Sequence, residues 1–108
     1  MSRKEKYEGG ATRNFIGRIA YNLIEWGFIK AMAAVMFEGA VSHGPTNWRS
    51  GMPKGSVINH AMNHLVMWIE GDRSEPHLAK VAVGCMFLWW YEENGKFLPE
   101  PLEKYDEH

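Results

Sequence analysis

The sequence lacks both the cysteines of a disulfide-built protein and the long apolar run of a membrane span. Its 108 residues include one cysteine, Cys85, which excludes an intrachain disulfide and favours a reducing, intracellular compartment. The longest apolar stretch, residues 81–91, is shorter than the ~20 residues that a spanning helix needs. No uninterrupted apolar segment follows the basic start of the chain, so we predict no secretory signal and a cytoplasmic location.

The sequence also lacks an excess of either charge. Lys and Arg number 12 against 13 Asp and Glu, which leaves a formal net charge of −1. A protein that binds long nucleic acid through its phosphates carries a marked basic excess. We therefore predict neither a long nucleic acid nor a membrane as partner. A Gly-rich phosphate loop, a Cys pair for zinc, HExxH and GxSxG are all missing, so none of these signatures assigns an activity.

Apolar residues recur at offsets of three, four and seven in successive segments, which is the spacing of an amphipathic helix. Ser56 is a suitable N-cap for the second helix, Gly71 suits the position after its end, and Pro76 suits the first turn of the third. The predicted helices cover residues 22–42, 56–70 and 76–93.

This pattern predicts an all-α fold, a small bundle of three to four helices. We expect a flexible arm over residues 1–14, a single helical domain over 15–95 and a tail over 96–108. The third helix is apolar on nearly every side, and two neighbouring helices could hardly cover it. We therefore predict that oligomerisation completes the bundle.

Several side chains that could bind a metal or take part in catalysis lie between the second and third predicted helices. His64 lies on the flank of the second helix, Asp72 and Glu75 follow in the turn, and His77 begins the third helix. A helical hairpin can bring these side chains into one pocket, where carboxylates and imidazoles form a plausible divalent-metal site. In the alternative interpretation the two carboxylates complement the helix dipole, and His64 is a histidine at the core boundary.

Two charged residues lie among apolar neighbours. Lys80 is the only charged residue between His77 and Glu92, so it must reach solvent, pair with a carboxylate or bind an anion. It could contact a phosphate or pair with Glu38 or Glu70. Glu38 itself could complete the metal-binding carboxylates or be a solvated helix-end residue.

The Gly- and Pro-rich loop over residues 43–55 is long for so small a domain, and long ordered loops tend to be functional. It carries Asn47, Trp48, Arg49 and Lys54, an aromatic face for a base beside cations for phosphate. Trp48 could equally be a packing residue that closes the end of the bundle.

Several short motifs follow one another in a fixed order: Gly39-Ala40, His43-Gly44, Asn47-Trp48 with Gly51, Asn63-His64-Leu65, the turn from Asp72 to Glu75, and His77-Leu78-Ala79. Taken in this order, the motifs resemble the phage-associated family of dATP/dGTP diphosphohydrolase N-terminal domains, over residues 22–94. Asn63, Gly84 and His43 stand where that family commonly has Arg, Asn and Tyr.

The resemblance implies an all-α nucleotide pyrophosphohydrolase related to the MazG-like group. Such enzymes cleave a (d)NTP to a monophosphate and pyrophosphate with Mg²⁺ or Mn²⁺, usually as homodimers or homotetramers, and the resemblance implies a purine nucleotide as substrate here. If the chain is phage-encoded, it would act in the host cytoplasm. The implied roles are metal binding by Glu38, Asp72 and Glu75, catalysis by Glu75, His77 and His64, and substrate binding by Asn47, Trp48, Arg49, Lys54 and Lys80.

Two other hypotheses stay open. The departures from the family pattern favour a catalytically inactive module that binds a nucleotide or a protein on the same scaffold. The chain could also be a purely structural protein whose aromatic residues form an oligomer interface. Release of pyrophosphate from a (d)NTP separates the first hypothesis from both others.

Overall fold

The computed structural model describes residues 3–15 and 17–102 and confirms a mostly helical fold built on three α-helices. The second and third helices pack closely, and the first packs on the third. Short 3-10 turns cover Tyr21–Leu23 and Asn47–Ser50. The main elements are β1 (Arg3–Lys6), β2 (Thr12–Phe15), α1 (Trp26–His43), β3 (Met52–Pro53), α2 (Lys54–Ile69), α3 (His77–Asn94) and β4 (Phe97–Leu98).

The N-terminal segment has regular structure that its aperiodic sequence did not predict. Strands β1 and β2 pair antiparallel, with Lys6 opposite Thr12. The chain reverses between them through Gly9, whose φ is +69°, and the Gly10 N–H donates to the Tyr7 carbonyl at 3.0 Å. The predicted arm over residues 1–14 therefore contains a β-hairpin, and its residues 1 and 2 lie outside the described part.

The helix ends differ from the predicted ones by a few residues, for local reasons. Helix α1 begins at Trp26 rather than near residue 22, because Ile24 and Glu25 have extended backbone conformations. Helix α2 begins at Lys54, two residues before the predicted start at Ser56, with Pro53 in the N-cap position. Gly71 follows the end of α2 with φ +96°, a left-handed conformation that glycine adopts readily.

The start of the predicted tail belongs to the packed structure. Strand β4 pairs in parallel with β3, with Met52 opposite Phe97. Gly51 precedes β3 with φ +106°, and a Cβ there would collide with the carbonyl oxygen of Lys96, so only glycine allows the two backbones to approach this closely. Of the predicted tail over 96–108, residues 103–108 lie outside the described part.

The small core lies along one side of α3. Its buried apolar side chains are Val57 from α2 and Ala79, Val83 and Tyr91 from α3. Gly84 keeps the two helices close, since a Cβ at this position would lie 3.2 Å from the Ala61 side chain. A few small and aromatic residues, rather than a wide apolar stripe, therefore hold α3 in place.

Large apolar side chains remain exposed in the single chain. Helix α1 buries no residue completely, and its Trp26, Phe37 and Val41 are each at least 70% exposed. On α3, Trp89 is 60% exposed. Cys85, which the sequence places in an apolar run, is also exposed. Completion of the bundle by a partner chain stays a prediction. Within 3–15 and 17–102, no helix has the length and apolar character needed to cross a membrane.

Candidate functional site

A cavity of about 490 Å³ opens where the C-terminal half of α1, the following loop, α2 and α3 meet. This volume lies in the range of pockets that hold small-molecule ligands. Its polar lining includes Glu38 from α1, Asn47 from the loop, Ser56 and His60 from α2, and Lys80 from α3. Apolar side chains, among them Met36, Val83 and Phe87, complete the walls.

Trp48 is one of the aromatic residues in this lining, and three contacts fix it. Its ring stacks on Phe87 with centroids 4.8 Å apart and an interplanar angle of 14°, and it meets Trp90 edge-on at 5.1 Å. Its carbonyl oxygen accepts a hydrogen bond of 2.6 Å from the hydroxyl of Tyr91. These contacts fit the packing interpretation of Trp48, which is also one of the residues that line the pocket.

Lys80 carries positive charge to the pocket and is held by a carboxylate. Its Nζ lies 2.5 Å from Oε1 of Glu75, and this hydrogen bond, followed by the ammonium charge, lowers the pKa of Glu75. The sequence predicted Glu38 or Glu70 as a carboxylate partner; Glu75 takes that place, five residues before Lys80 in the turn that precedes α3. The Lys80 side chain is 24% exposed, and Lys80 is one of the residues that line the pocket.

Three histidines and one aspartate form a continuous chain beside the pocket. Nδ1 of His64 lies 2.8 Å from Nδ1 of His77, and Nε2 of His64 lies 3.2 Å from Nε2 of His60. Oδ2 of Asp72 lies 3.2 Å from Nε2 of His77, at an angle too poor for a well-formed hydrogen bond. His64 and His77 are buried, whereas His60 is exposed and lines the pocket.

The surroundings of this chain shift two pKa values downward. The pKa of Asp72 falls to about 2, chiefly because its carboxylate accepts a hydrogen bond of 2.8 Å from the backbone N–H of Ser74, with smaller effects from the Ser74 side chain and the nearby His77. Burial lowers the pKa of His64, and the nearby His60 and Lys80 lower it further. Near pH 7, the Asp72 carboxylate is therefore ionised and the His64 imidazole is neutral.

The buried imidazole of His64 predicts a loss of stability on mild acidification. In the unfolded chain His64 gains a proton below its ordinary pKa of 6.5, whereas in the folded protein its pKa is lower. The unfolded state then binds more protons, so the free energy of unfolding should fall as the pH drops below about 6.5. The measurement is the urea midpoint between pH 8 and pH 5.

The exposed His43 supplies the matched control for this pH series. We expect His43→Gln to keep the acid-side decrease of the urea midpoint and His64→Gln to weaken it. Asp72 does not interfere, because its lowered pKa of about 2 places its contribution to stability at more acidic pH. An unchanged midpoint between pH 8 and pH 5 in the wild-type protein would contradict the prediction.

The structure divides the predicted site residues into two groups. Glu38, Asn47, Trp48 and Lys80 line the pocket together. The others lie behind or beside it: His64, His77, Asp72 and Glu75 in the contacts given above, Arg49 over the rings of Trp48 and Trp90, and Lys54 over the ring of Phe97. The predicted catalytic and substrate-binding roles of this second group stay predictions. Among the predicted site residues, only those of the first group lie where they could contact a ligand in the pocket.

The carboxylates predicted to bind Mg²⁺ or Mn²⁺ do not form a joint ligand set in this chain. Glu75 is bound to Lys80, Asp72 is turned toward Ser74 and His77, and only Glu38 of the three lines the pocket. Within residues 3–15 and 17–102, no three His, Cys, Asp or Glu side chains are grouped so that they could hold a metal ion. Metal binding by Glu38, Asp72 and Glu75 stays a prediction.

His60 is the residue that the sequence-based site missed. It precedes His64 by four positions on α2, and residues at this spacing share one face of a helix. The four-residue spacing from His64 was therefore a signal that could have identified His60. The position of His60 around the helix, however, predicted that its side chain faces solvent. The pocket wall formed by α1 and the loop supplies what the sequence did not show, a cavity on that solvent-facing side.

The protein therefore has a mostly helical fold with one described pocket whose lining includes aromatic, acidic and cationic residues. The family model described as "dATP/dGTP diphosphohydrolase, N-terminal" matches residues 8–100. The chain belongs to this family, whose name denotes nucleotide hydrolases and refers to their N-terminal part. No curated protein and no solved structure matches the chain.

Proposed function

We propose that the chain is a (d)NTP pyrophosphohydrolase that releases pyrophosphate and a nucleoside monophosphate, with a preference for purines. The observation that carries this proposal is the pocket, in which Trp48 and Lys80 line one cavity of about 490 Å³. Membership of a family named for dATP and dGTP hydrolysis supports the choice of substrate.

The pocket offers separate surfaces for the two parts of a nucleotide. An aromatic face stacks on any base, and a purine presents the larger area for such stacking. Lys80 and the amide of Asn47 supply hydrogen-bond donors for phosphate oxygens. Trp48 is already fixed by Phe87 and Tyr91, so little side-chain freedom is lost when a base binds.

The charge of the triphosphate requires more than one cation, and this chain has few at the pocket. Divalent ions bind substrate phosphates together with one or two carboxylates in many phosphate-transferring enzymes. The arrangement of Glu38, Asp72 and Glu75 does not supply a joint site, so no step of the mechanism is assigned to an ion. The dependence on Mg²⁺ or Mn²⁺ is a further proposal that the assay decides.

The test is pyrophosphate release from each of the common (d)NTPs by the purified full-length chain. The reactions are run with Mg²⁺, with Mn²⁺ and with a chelator. We expect turnover of at least dATP or dGTP, with the monophosphate formed in equal amount to pyrophosphate. Absence of pyrophosphate release from every nucleotide under all three conditions would overturn the proposal.

A nucleotide-binding module without turnover is the second candidate. It is favoured by the pairing of Lys80 with Glu75 and of Asp72 with His77, which engages charged groups that catalysis would use. Thermal stabilisation by dATP or dGTP without release of pyrophosphate is the expected result for this candidate. The (d)NTP partner is common to both functions, and a homodimer or homotetramer is compatible with both.

A further inference from the structure

Helix α2 begins without a capping side chain from its own segment. Pro53 occupies the N-cap position, and its side chain makes no hydrogen bond to the first turn of the helix. The first N–H groups of an α-helix have no carbonyl partner within the helix, and a nearby carboxylate stabilises them. A side chain from another part of the chain can therefore take the place of the local cap.

Glu100, two residues after β4, provides this cap. The backbone N–H of Gly55 donates a hydrogen bond of 2.6 Å to Oε1 of Glu100, although the two residues are 45 positions apart. A Cβ at position 55 would lie 2.9 Å from Oε2 and 3.0 Å from Oε1 of Glu100, so glycine leaves the space that the carboxylate occupies. The negative charge lies where the helix dipole favours it.

The segment that carries Glu100 also holds the end of the loop before α2. Strand β4 pairs in parallel with β3, which places Met52 opposite Phe97. Nζ of Lys54 lies 5.1 Å from the centroid of the Phe97 ring, within the range of a cation–π contact. Strand pairing, this cation–π contact and the Glu100 hydrogen bond together fasten the junction of the loop and α2 to the segment after α3.

Residues on both sides of this junction line the pocket. They come from the loop and from the first two turns of α2: Asn47, Trp48, Met52, Ser56, Val57 and His60. Glu100 is not among the lining residues, and its carboxylate contacts the start of α2 rather than the cavity. Displacement of this carboxylate would therefore act on a ligand by moving one wall of the pocket.

We propose that Glu100 is a positioning residue of the nucleotide pocket, whose carboxylate on the Gly55 N–H holds the loop and the start of α2 in the pocket wall. This inference rests on the proposed function for the identity of the ligand, a (d)NTP. Loss of the contact should weaken nucleotide binding, because Asn47 and Trp48 lie in the displaced wall. It should leave kcat little changed, because the residues predicted for catalysis lie outside this junction.

Kinetics of Glu100→Ala test the positioning role. We expect KM for dATP or dGTP, and the Kd measured by nucleotide titration, to rise about tenfold or more with little change in kcat. Glu100→Gln keeps an oxygen that can accept the Gly55 N–H, so it should recover most of the lost affinity. Glu93→Ala removes the same charge from an exposed position on α3 and should keep the wild-type KM.

A cap that only stabilises the fold gives a different result. It would lower the urea midpoint of Glu100→Ala and leave the KM, Kd and kcat of the folded protein at their wild-type values. That result would overturn the proposal.

Gly55→Ala breaks the same contact without a change of charge. The added methyl group would displace the flexible end of the Glu100 side chain, whereas alanine favours a helix more than glycine does. We therefore expect a urea midpoint close to that of the wild type and a KM that rises as in Glu100→Ala. Gly27→Ala adds a methyl group to open space on α1 and should keep the wild-type KM.

The double variant Gly55→Ala with Glu100→Ala tests whether both changes act through one contact. We expect its KM to equal that of Glu100→Ala alone, because a contact that is already lost cannot be lost again. Fully additive increases of KM would show two independent effects and would contradict the proposed contact.

Nitrogen–proton NMR tests the position of the loop without turnover. The indole N–H resonance of Trp48 reports the surroundings of the pocket wall. We expect this resonance to move in Glu100→Ala and in Gly55→Ala, and to keep its wild-type position in Glu93→Ala and Gly27→Ala. An unchanged Trp48 resonance in both test variants would overturn the positioning role.

The two readouts separate this inference from the proposed function. If the wild-type chain neither binds nor hydrolyses any (d)NTP, the proposed function fails, and the Trp48 resonance still decides whether Glu100 holds the loop. If the wild type binds or hydrolyses a (d)NTP while Glu100→Ala and Gly55→Ala keep its affinity, the positioning role is overturned alone.

Discussion

Replacement of Tyr91 by alanine is expected to lower the free energy of unfolding by about 3–5 kcal/mol, the range for removal of a buried aromatic side chain. Tyr91 is 0% exposed, and its ring contacts the rings of Trp48, Phe87 and Phe97 with centroids between 5.8 and 6.3 Å apart. Alanine would leave a cavity at the junction of α3, β4 and the loop. Urea unfolding followed by circular dichroism measures the change.

Tyr91→Phe is the matched control for this effect. It keeps the ring and removes only the hydroxyl that donates to the Trp48 carbonyl at 2.6 Å. The Trp48 carbonyl keeps its second hydrogen bond, from the Gly51 N–H at 3.3 Å, so Tyr91→Phe loses one hydrogen bond of about 0.5–1.5 kcal/mol and should fall between the wild type and Tyr91→Ala. A loss below about 1 kcal/mol in Tyr91→Ala would show that this ring cluster is not the main core, contrary to the structure.

Replacement of Lys80 by methionine is expected to lower kcat/KM for the preferred (d)NTP by about 10- to 100-fold. Methionine fills a similar volume without the ammonium group, so the substrate loses a charge-assisted hydrogen bond of about 1.5–3 kcal/mol. Lys80 is suited to this contact because it lines the pocket while Glu75 fixes its side chain at 2.5 Å. The measurement is pyrophosphate release over a range of nucleotide concentrations.

Two further variants define the cause of this loss. Lys30→Met removes the same charge from the exposed part of α1, away from the pocket lining, and should keep kcat/KM. Lys80→Met also frees the carboxylate of Glu75, which could repel phosphate. The double variant Lys80→Met with Glu75→Gln measures that repulsion. Recovery of wild-type kcat/KM in the double variant would contradict a direct phosphate contact by Lys80.

Most of the helical architecture was predictable from local sequence. The spacing of apolar residues located all three helices to within a few residues, because helical periodicity repeats every three to four residues. Gly71 was correctly placed after α2, since a left-handed backbone favours glycine. The hairpin at residues 3–15 was not predictable, because its strands show no alternation of apolar and polar residues.

The candidate site was predictable only in part. Four of the predicted site residues, Glu38, Asn47, Trp48 and Lys80, line the pocket. The predicted carboxylate partner of Lys80, Glu38 or Glu70, was wrong, since Lys80 pairs with Glu75. The spacing of residues along the sequence does not show which carboxylate folds back toward the lysine. His60 was missed, since its exposure to a pocket depends on α1 and the loop, which are distant in sequence.

The sequence by itself determined the helical class, the three main helices and the family to which the chain belongs. These features depend on residue spacing and on ordered short motifs, both of which can be read without knowledge of packing. Tertiary structure alone decided which polar groups meet. The contact of Trp48 with Tyr91 spans 43 positions and that of His64 with His77 spans 13. Such contacts follow from how α2 and α3 pack, and no local pattern specifies them.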